Sequence, residues 1–306
     1  MILFILASAL LLGGCGPIEG IFVEEDLLQR PKAKRCADCH AEIFREWEKS
    51  RHAKAWVSEN FKRESENYGK TKCLKCHAPL EVVEGKKPSV RDNNREDGIN
   101  CASCHYREET NAIHGPLKVW SPPHPSKKDP SFKRSTFCSS CHEDTYKEWK
   151  LTRFEKSCQD CHMPYKGKKD LINNFPYYLL HLAKPRHDHS FPSLKAKEED
   201  IKISTFKEGK RRIIEIINVG VPHNLPTADQ GDPKYYIIAE IKYASGRTKR
   251  IRRILSPEAE NALVYKKPYV ISFFEREEPT YIKIEIYRRL SWKKERELIK
   301  SYLANK

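Results

Sequence analysis

CADCH, residues 36–40, decides how this chain is read, because the same pattern returns as CLKCH at 73–77, CASCH at 101–105, CSSCH at 138–142 and CQDCH at 158–162. Two cysteines at i and i+3 and a histidine at i+4 fall on neighbouring positions of one helical turn. All three side chains can therefore meet one flat ligand. Covalent haem attachment needs that arrangement: the thiols add to the two vinyl groups as thioethers, and the imidazole takes an axial position on the iron.

Half a zinc site and a thioredoxin-type redox disulfide are the rival readings of a Cys-x-x-Cys pair. Neither requires histidine at the fifth position, yet all five repeats have it in a chain with twelve His. The reading is five covalently bound haem c groups with iron. Their thioethers fall on Cys36, Cys39, Cys73, Cys76, Cys101, Cys104, Cys138, Cys141, Cys158 and Cys161, and their proximal ligands are His40, His77, His105, His142 and His162.

The motifs use ten of the eleven cysteines. The other, Cys15, follows MILFILASALLLGG, an apolar run too short to span a bilayer as a stable helix. Leu12, Gly13, Gly14 and Cys15 resemble the bacterial lipobox, in which the cysteine is lipidated and becomes the new N-terminus. The expectation is a signal over 1–15, lipidation at Cys15, a tether over 16–34 and a mature protein that is exported, periplasmic or on the outer face, and membrane-anchored. No Lys or Arg precedes the apolar run. The formal charge of +15 would ordinarily suggest a polyanionic partner. Export argues against nucleic acid, and haem propionates offset much of that charge.

Methionine is nearly absent: Met1 belongs to the signal, and Met163 directly follows His162 and cannot readily reach the opposite face of that haem. This leaves bis-histidine ligation, which gives lower potentials than Met/His. The histidines outside the motifs are His52, His114, His124, His181, His187, His189 and His223.

Roughly thirty residues serve each motif, too few to enclose a macrocycle in an ordinary side-chain core. The haems themselves are expected to form the interior, and the short gap from Cys138 to Cys158 to join adjacent groups. A helix is expected over AEIFREWEKSRHAKAW, 41–56. From about residue 200 the period changes: IKISTF, RRIIEIINV, YYIIAEIKYA, VISFFE and TYIKIEIYRR read as strands, with turns at EGK and Ser245-Gly246. The fold class is a mainly α and irregular multihaem cytochrome domain over 35–192, with a haem-packed core, followed by an antiparallel β-sandwich-like domain over 193–306.

The stretch CADCHAEIFREWEKSRHAKAW, with EDGINCASCH, HGPLKVWSPPH, CQDCHMP, RHDHSFP and NVGVPHNLPTADQGDP, resembles the cytochrome c-552/c-554 family and its hydroxylamine oxidoreductase-related multihaem cytochromes. The likeness runs over roughly 36–233. By position it implies that His52, His114, His124, His189 and His223 are distal ligands, with His187 competing with His189 and His181 in reserve. It also implies that a loop of the β-rich domain reaches a haem through His223. Five motifs are one more than the tetrahaem members have and three fewer than the octahaem enzyme, so function does not carry over whole.

Three classes of function remain. An electron carrier between a quinol-oxidising or periplasmic enzyme and a terminal reductase would have every iron closed. An oxidoreductase for a small nitrogen or sulfur compound would need one five-coordinate haem; no motif here ends in Lys in place of His. A filament subunit would lend a spare histidine to a neighbouring copy. The reading favoured is the electron carrier, with no catalytic residue assigned.

Overall fold

The structure is a computed structural model that describes residues 23–119, 123–175, 177–227 and 231–305. The expected signal, Cys15 and the first part of the expected tether lie outside the described residues. The helices are short: α1 Ala33–Ala37, α2 Ala41–Glu48, α3 Glu59–Glu64, α4 Thr71–His77, α5 Cys101–His105, α6 Glu143–Thr152 and α7 Cys158–His162. The chain divides into two compact units. One runs through Phe137 and includes Gln159–Pro192; the other joins Cys138–Cys158 to the stretch from Ser193 onward.

In the first unit, polar caps start the helices. Ser58 Oγ accepts the Phe61 N–H at 3.2 Å to open α3, and Asn100 Oδ1 accepts the Ser103 N–H at 3.0 Å to open α5. Glu42 in the first turn of α2 and Arg45 in its last turn complement the helix dipole. The helix expected over 41–56 stops at Glu48. Ser50 Oγ accepts the Ala53 N–H at 3.1 Å and the Ile99 N–H donates to the His52 carbonyl at 3.1 Å, which turns the chain. Gly98 makes that approach possible: its φ is +60°, and a Cβ there would stand 2.4 Å from the His52 carbonyl oxygen.

Short strands complete this unit. β1 Tyr106–Arg107 pairs antiparallel with β2 Ala112–Gly115, which pairs parallel with β3 Ser126–Lys128. β4 Tyr165–Lys169 and β5 Lys184–His187 form an antiparallel pair. Its apolar clusters are small: Leu28 with Ala102 and Tyr106, and Ala33 with Trp47 and Ala53. Residues 23–34, expected as tether, are fixed. Leu28 and Ala33 are buried, Arg30 donates to the Leu80 carbonyl at 2.7 Å, and the Ala33 N–H donates to Asp97 at 2.7 Å.

The second unit has two antiparallel sheets. One orders β10 Pro268–Phe274, β7 Arg211–Asn218 and β6 Ile201–Glu208; the other orders β12 Glu297–Asn305, β11 Pro279–Arg289, β8 Lys234–Tyr243 and β9 Thr248–Leu255. Alternation along β8 and β11 turns Ile237, Ile241, Ile284 and Ile286 into a buried cluster, which Ile214 and Ile216 of β7 and Ile271 of β10 share. Strands β9 and β12 lay outside the sequence expectation. Both are edges, and most of β9 faces solvent with Lys and Arg at 249, 250, 252 and 253, so the apolar alternation is thin.

The fourth motif goes with these strands and not with the other haem segments as expected. The cause is a set of polar contacts from α6: Glu148 accepts from the Asn224 N–H at 3.1 Å and from Thr227 Oγ1 at 2.7 Å, and Thr145 meets Thr227 at 2.9 Å. Phe154 adds an edge-on contact with Tyr265. Ile284 is fully buried at the centre of the second unit, so Ile284→Ala is expected to lower that unit's stability by about 3 kcal/mol, measured by urea denaturation followed in the far-ultraviolet CD.

Candidate haem centres

Each motif is wound as the ligand geometry demands. The His40 N–H donates to the Cys36 carbonyl at 2.9 Å and the His142 N–H to the Cys138 carbonyl at 2.9 Å, closing the turns on which both thiols and the imidazole sit. None of the ten motif cysteines is in a disulfide, and all are half-buried. Among the described residues no group of three or more His, Cys, Asp or Glu converges on one point.

Four of the five proximal imidazoles, those of His40, His77, His105 and His162, share one contact. Nδ1 of His40 lies 2.7 Å from the Leu171 carbonyl, that of His77 2.6 Å from Ala55, that of His105 2.7 Å from His114 and that of His162 3.0 Å from Pro192. A carbonyl oxygen only accepts, so each Nδ1 carries the proton and each Nε2 keeps its lone pair for a metal. Neutral imidazole is what iron binds, and burial favours it. It pushes His105 down to about 4, opposed by the His114 carbonyl and aided by nearby His189, Arg107 and His40. Burial first, then His40, pushes His124 down to about 4.

Two of the implied distal histidines stand opposite proximal ones. The ring centres of His40 and His124 are 6.4 Å apart, and those of His105 and His189 are also 6.4 Å apart. A metal–nitrogen bond of about 2.0 Å on each side makes this spacing compatible in length with two imidazoles on one metal, the ring planes being tilted by 40° and 32°. His189 is held ready in the same way as the proximal residues, its Nδ1 2.9 Å from the His187 carbonyl.

The first and third motifs also touch. The helices that carry them pack together, with Cys36 beside Cys101. Sequence spacing pointed to the fourth and fifth motifs as neighbours; contact between the first and third spans 65 residues and left no trace in spacing.

The other histidines differ. His52 lies against Phe191 with ring centres 4.2 Å apart. His187 directs Nδ1 to the Met163 carbonyl at 2.8 Å. His181 is near enough to His40 and His124 to oppose their protonation. His223 lies in the same unit as the fourth motif, with Nδ1 2.9 Å from the Asn224 carbonyl. Its loop is held by the fully buried Asn218, whose side-chain amide donates to the carbonyls of Val221 and His223, each at 2.9 Å. His114 has Nε2 2.8 Å from Thr110 Oγ1 and Nδ1 3.5 Å from Asp129.

Arg91 escaped the sequence reading. It is fully buried and donates to the carbonyls of Pro79, Asn93, Asn94 and Gly98 and to the side chains of Asn100 and Ser103. One guanidinium thus ties the exit of the second motif to the cap of the third. A lone Arg in a polar loop carries no pattern that marks it as buried.

Repeated haem-binding turns with preset imidazoles, in a fold of short helices and loops, define a multihaem c-type cytochrome carrying covalently bound haem c. The family model described as Cytochrome c554 and c-prime matches residues 35–106. A penta-heme cytochrome c552 from Thermochromatium tepidum matches in structure at 15% identity with a TM-score of 0.56, over 90% of this chain and 100% of that one. CsgH of R. palustris matches at 10% identity and a TM-score of 0.22, over 33% of this chain and 88% of its own, too weak a likeness to carry an argument. No curated protein matches the chain.

Hydrogen bonds to a charged group contribute roughly 1.5–3 kcal/mol each. Arg91→Met is therefore expected to lower stability by at least ~3 kcal/mol and to reduce haem incorporation, measured by guanidinium denaturation and haem-to-protein ratio.

Proposed function

We propose that this protein is an exported pentahaem electron carrier, passing single electrons between respiratory redox partners through closely packed bis-histidine haems. The observation that carries the reading is the pair of opposed rings, His40 with His124 and His105 with His189, each separated by a distance that suits two axial ligands of one iron. An iron closed on both faces exchanges electrons without binding substrate. Contact between Cys36 and Cys101 supports close approach of the first and third haems. His52 and His223 are the candidates for further distal positions, and the β-rich region is read as an antiparallel sandwich that holds the His223 loop. Bound haem supplies the redox centre; the chain's own residues orient the imidazoles, keep them neutral and limit water.

The partners proposed are a quinol-oxidising or periplasmic enzyme on one side and a terminal reductase on the other. Lipid at Cys15 would keep the carrier at a membrane. Packing of residues 23–34 supports a short link, since chain from Cys15 to Val23 can span no more than about 28 Å.

His114 favours a second reading. Thr110 and Asp129 flank both its nitrogens, which supports a distal set one short of five and an iron open to a small nitrogen or sulfur compound. Holoprotein matured with a c-haem assembly system decides between the two. The carrier predicts five haems per chain, all low-spin by EPR when oxidised and none binding carbon monoxide when reduced; one high-spin, ligand-responsive haem per chain would replace it with the oxidoreductase. His124→Ala is expected to open one haem to carbon monoxide.

A further inference from the structure

Glu46 lies on α2, the helix that starts directly after His40. Its Oε1 accepts from Lys166 Nζ at 2.9 Å and from Arg186 Nη2 at 2.7 Å, while Oε2 accepts the backbone N–H of His189 at 3.1 Å. Arg186 is 4% exposed and its other arm donates to Glu42 at 2.6 Å. Lys166 also reaches Asp188 at 3.0 Å, and Asp188 accepts the Ser190 N–H at 2.7 Å.

Burying such a cluster is not a cheap route to stability, because removing charges from water offsets most of their mutual attraction. What it offers is definition of place. Glu42 and Glu46 extend from His40, Lys166 follows His162 on β4, and Arg186 and Asp188 bracket His187 immediately before His189. One cluster, buried at Arg186 and open to water at Lys166, therefore joins three segments that carry candidate haem ligands.

We infer that Glu46 is a positioning residue: it seats His189 toward His105 and, through Arg186 and Lys166, keys the segments that follow the first and fifth haem motifs to the 184–190 segment. The inference rests on the reading of His189 as an axial ligand. Backbone anchoring at His189 fixes where the ring begins, and the His187 carbonyl at Nδ1 fixes how it turns. Without the carboxylate, Arg186 and Lys166 lose a shared acceptor and the 184–190 segment is free to withdraw the ring.

The test compares holoproteins of full haem content carrying Glu46→Gln, Glu46→Ala, His189→Ala and, as an exposed control on the same helix, Glu48→Gln. Low-spin and high-spin haem are counted by EPR, and carbon monoxide is added to the reduced protein. His189→Ala should open one haem per chain. Glu46→Ala should make that same haem bind carbon monoxide, which it does not do in the parent, and add up to one high-spin haem per chain to the oxidised spectrum. Glu46→Gln, which folds with the same volume and still accepts the His189 N–H, should fall between, and Glu48→Gln should match the parent. If His189→Ala opens a haem while both Glu46 variants keep the parent's spectra, whatever their melting temperature, the positioning role is overturned and the ligand reading stands. If His189→Ala leaves every haem closed, the ligand reading falls and this inference falls with it.

Discussion

The contact on which the first unit depends is the hydrogen bond from a proximal Nδ1–H to a backbone carbonyl. It settles the tautomer, points Nε2 at the metal position and requires a particular carbonyl to arrive beside each motif. Those carbonyls come from Leu171, Ala55, His114 and Pro192, between 9 and 131 residues from the histidines they orient. Much of the irregular chain between helices is thus committed to delivering an acceptor to an address.

Such a fold cannot rely on an aliphatic interior, and the buried side chains show what replaces it. The first unit buries Arg30, Arg91, Arg107 and Arg186, while its apolar clusters stay small. Arg91 serves loop carbonyls and a helix cap; Arg30 lies over the Tyr106 ring at 4.6 Å and reaches toward Glu81 and Glu108. Guanidinium is suited to this because its planar set of donors can satisfy several loop acceptors at once. Each buried arginine adds a polar centre to a region whose apolar clusters are small.

The second unit is built on the opposite principle. Isoleucines from both sheets share one cluster, and loops are held to that frame by specific polar residues such as Asn218 and Glu148. The loop bearing His223 and the helix that follows His142 are both fastened to it. A β frame can hold a loop histidine in place as well as a helix does.

The sequence by itself determined the chemistry: Cys-x-x-Cys-His five times, an almost empty supply of methionine and a change of period near residue 200 require only local spacing to be read. Strands with strong alternation, such as β8 and β11, were legible for the same reason, whereas β9 hid behind its solvent-facing Lys and Arg. Tertiary structure alone decided which histidine rings lie near one another, that the first and third motifs touch, that the fourth belongs with the strands, and that the buried Arg91 and Arg186 and the half-buried Glu46 are hubs. These facts depend on contacts between residues tens of positions apart, and a polar side chain in a loop looks the same in sequence whether water or a carbonyl satisfies it.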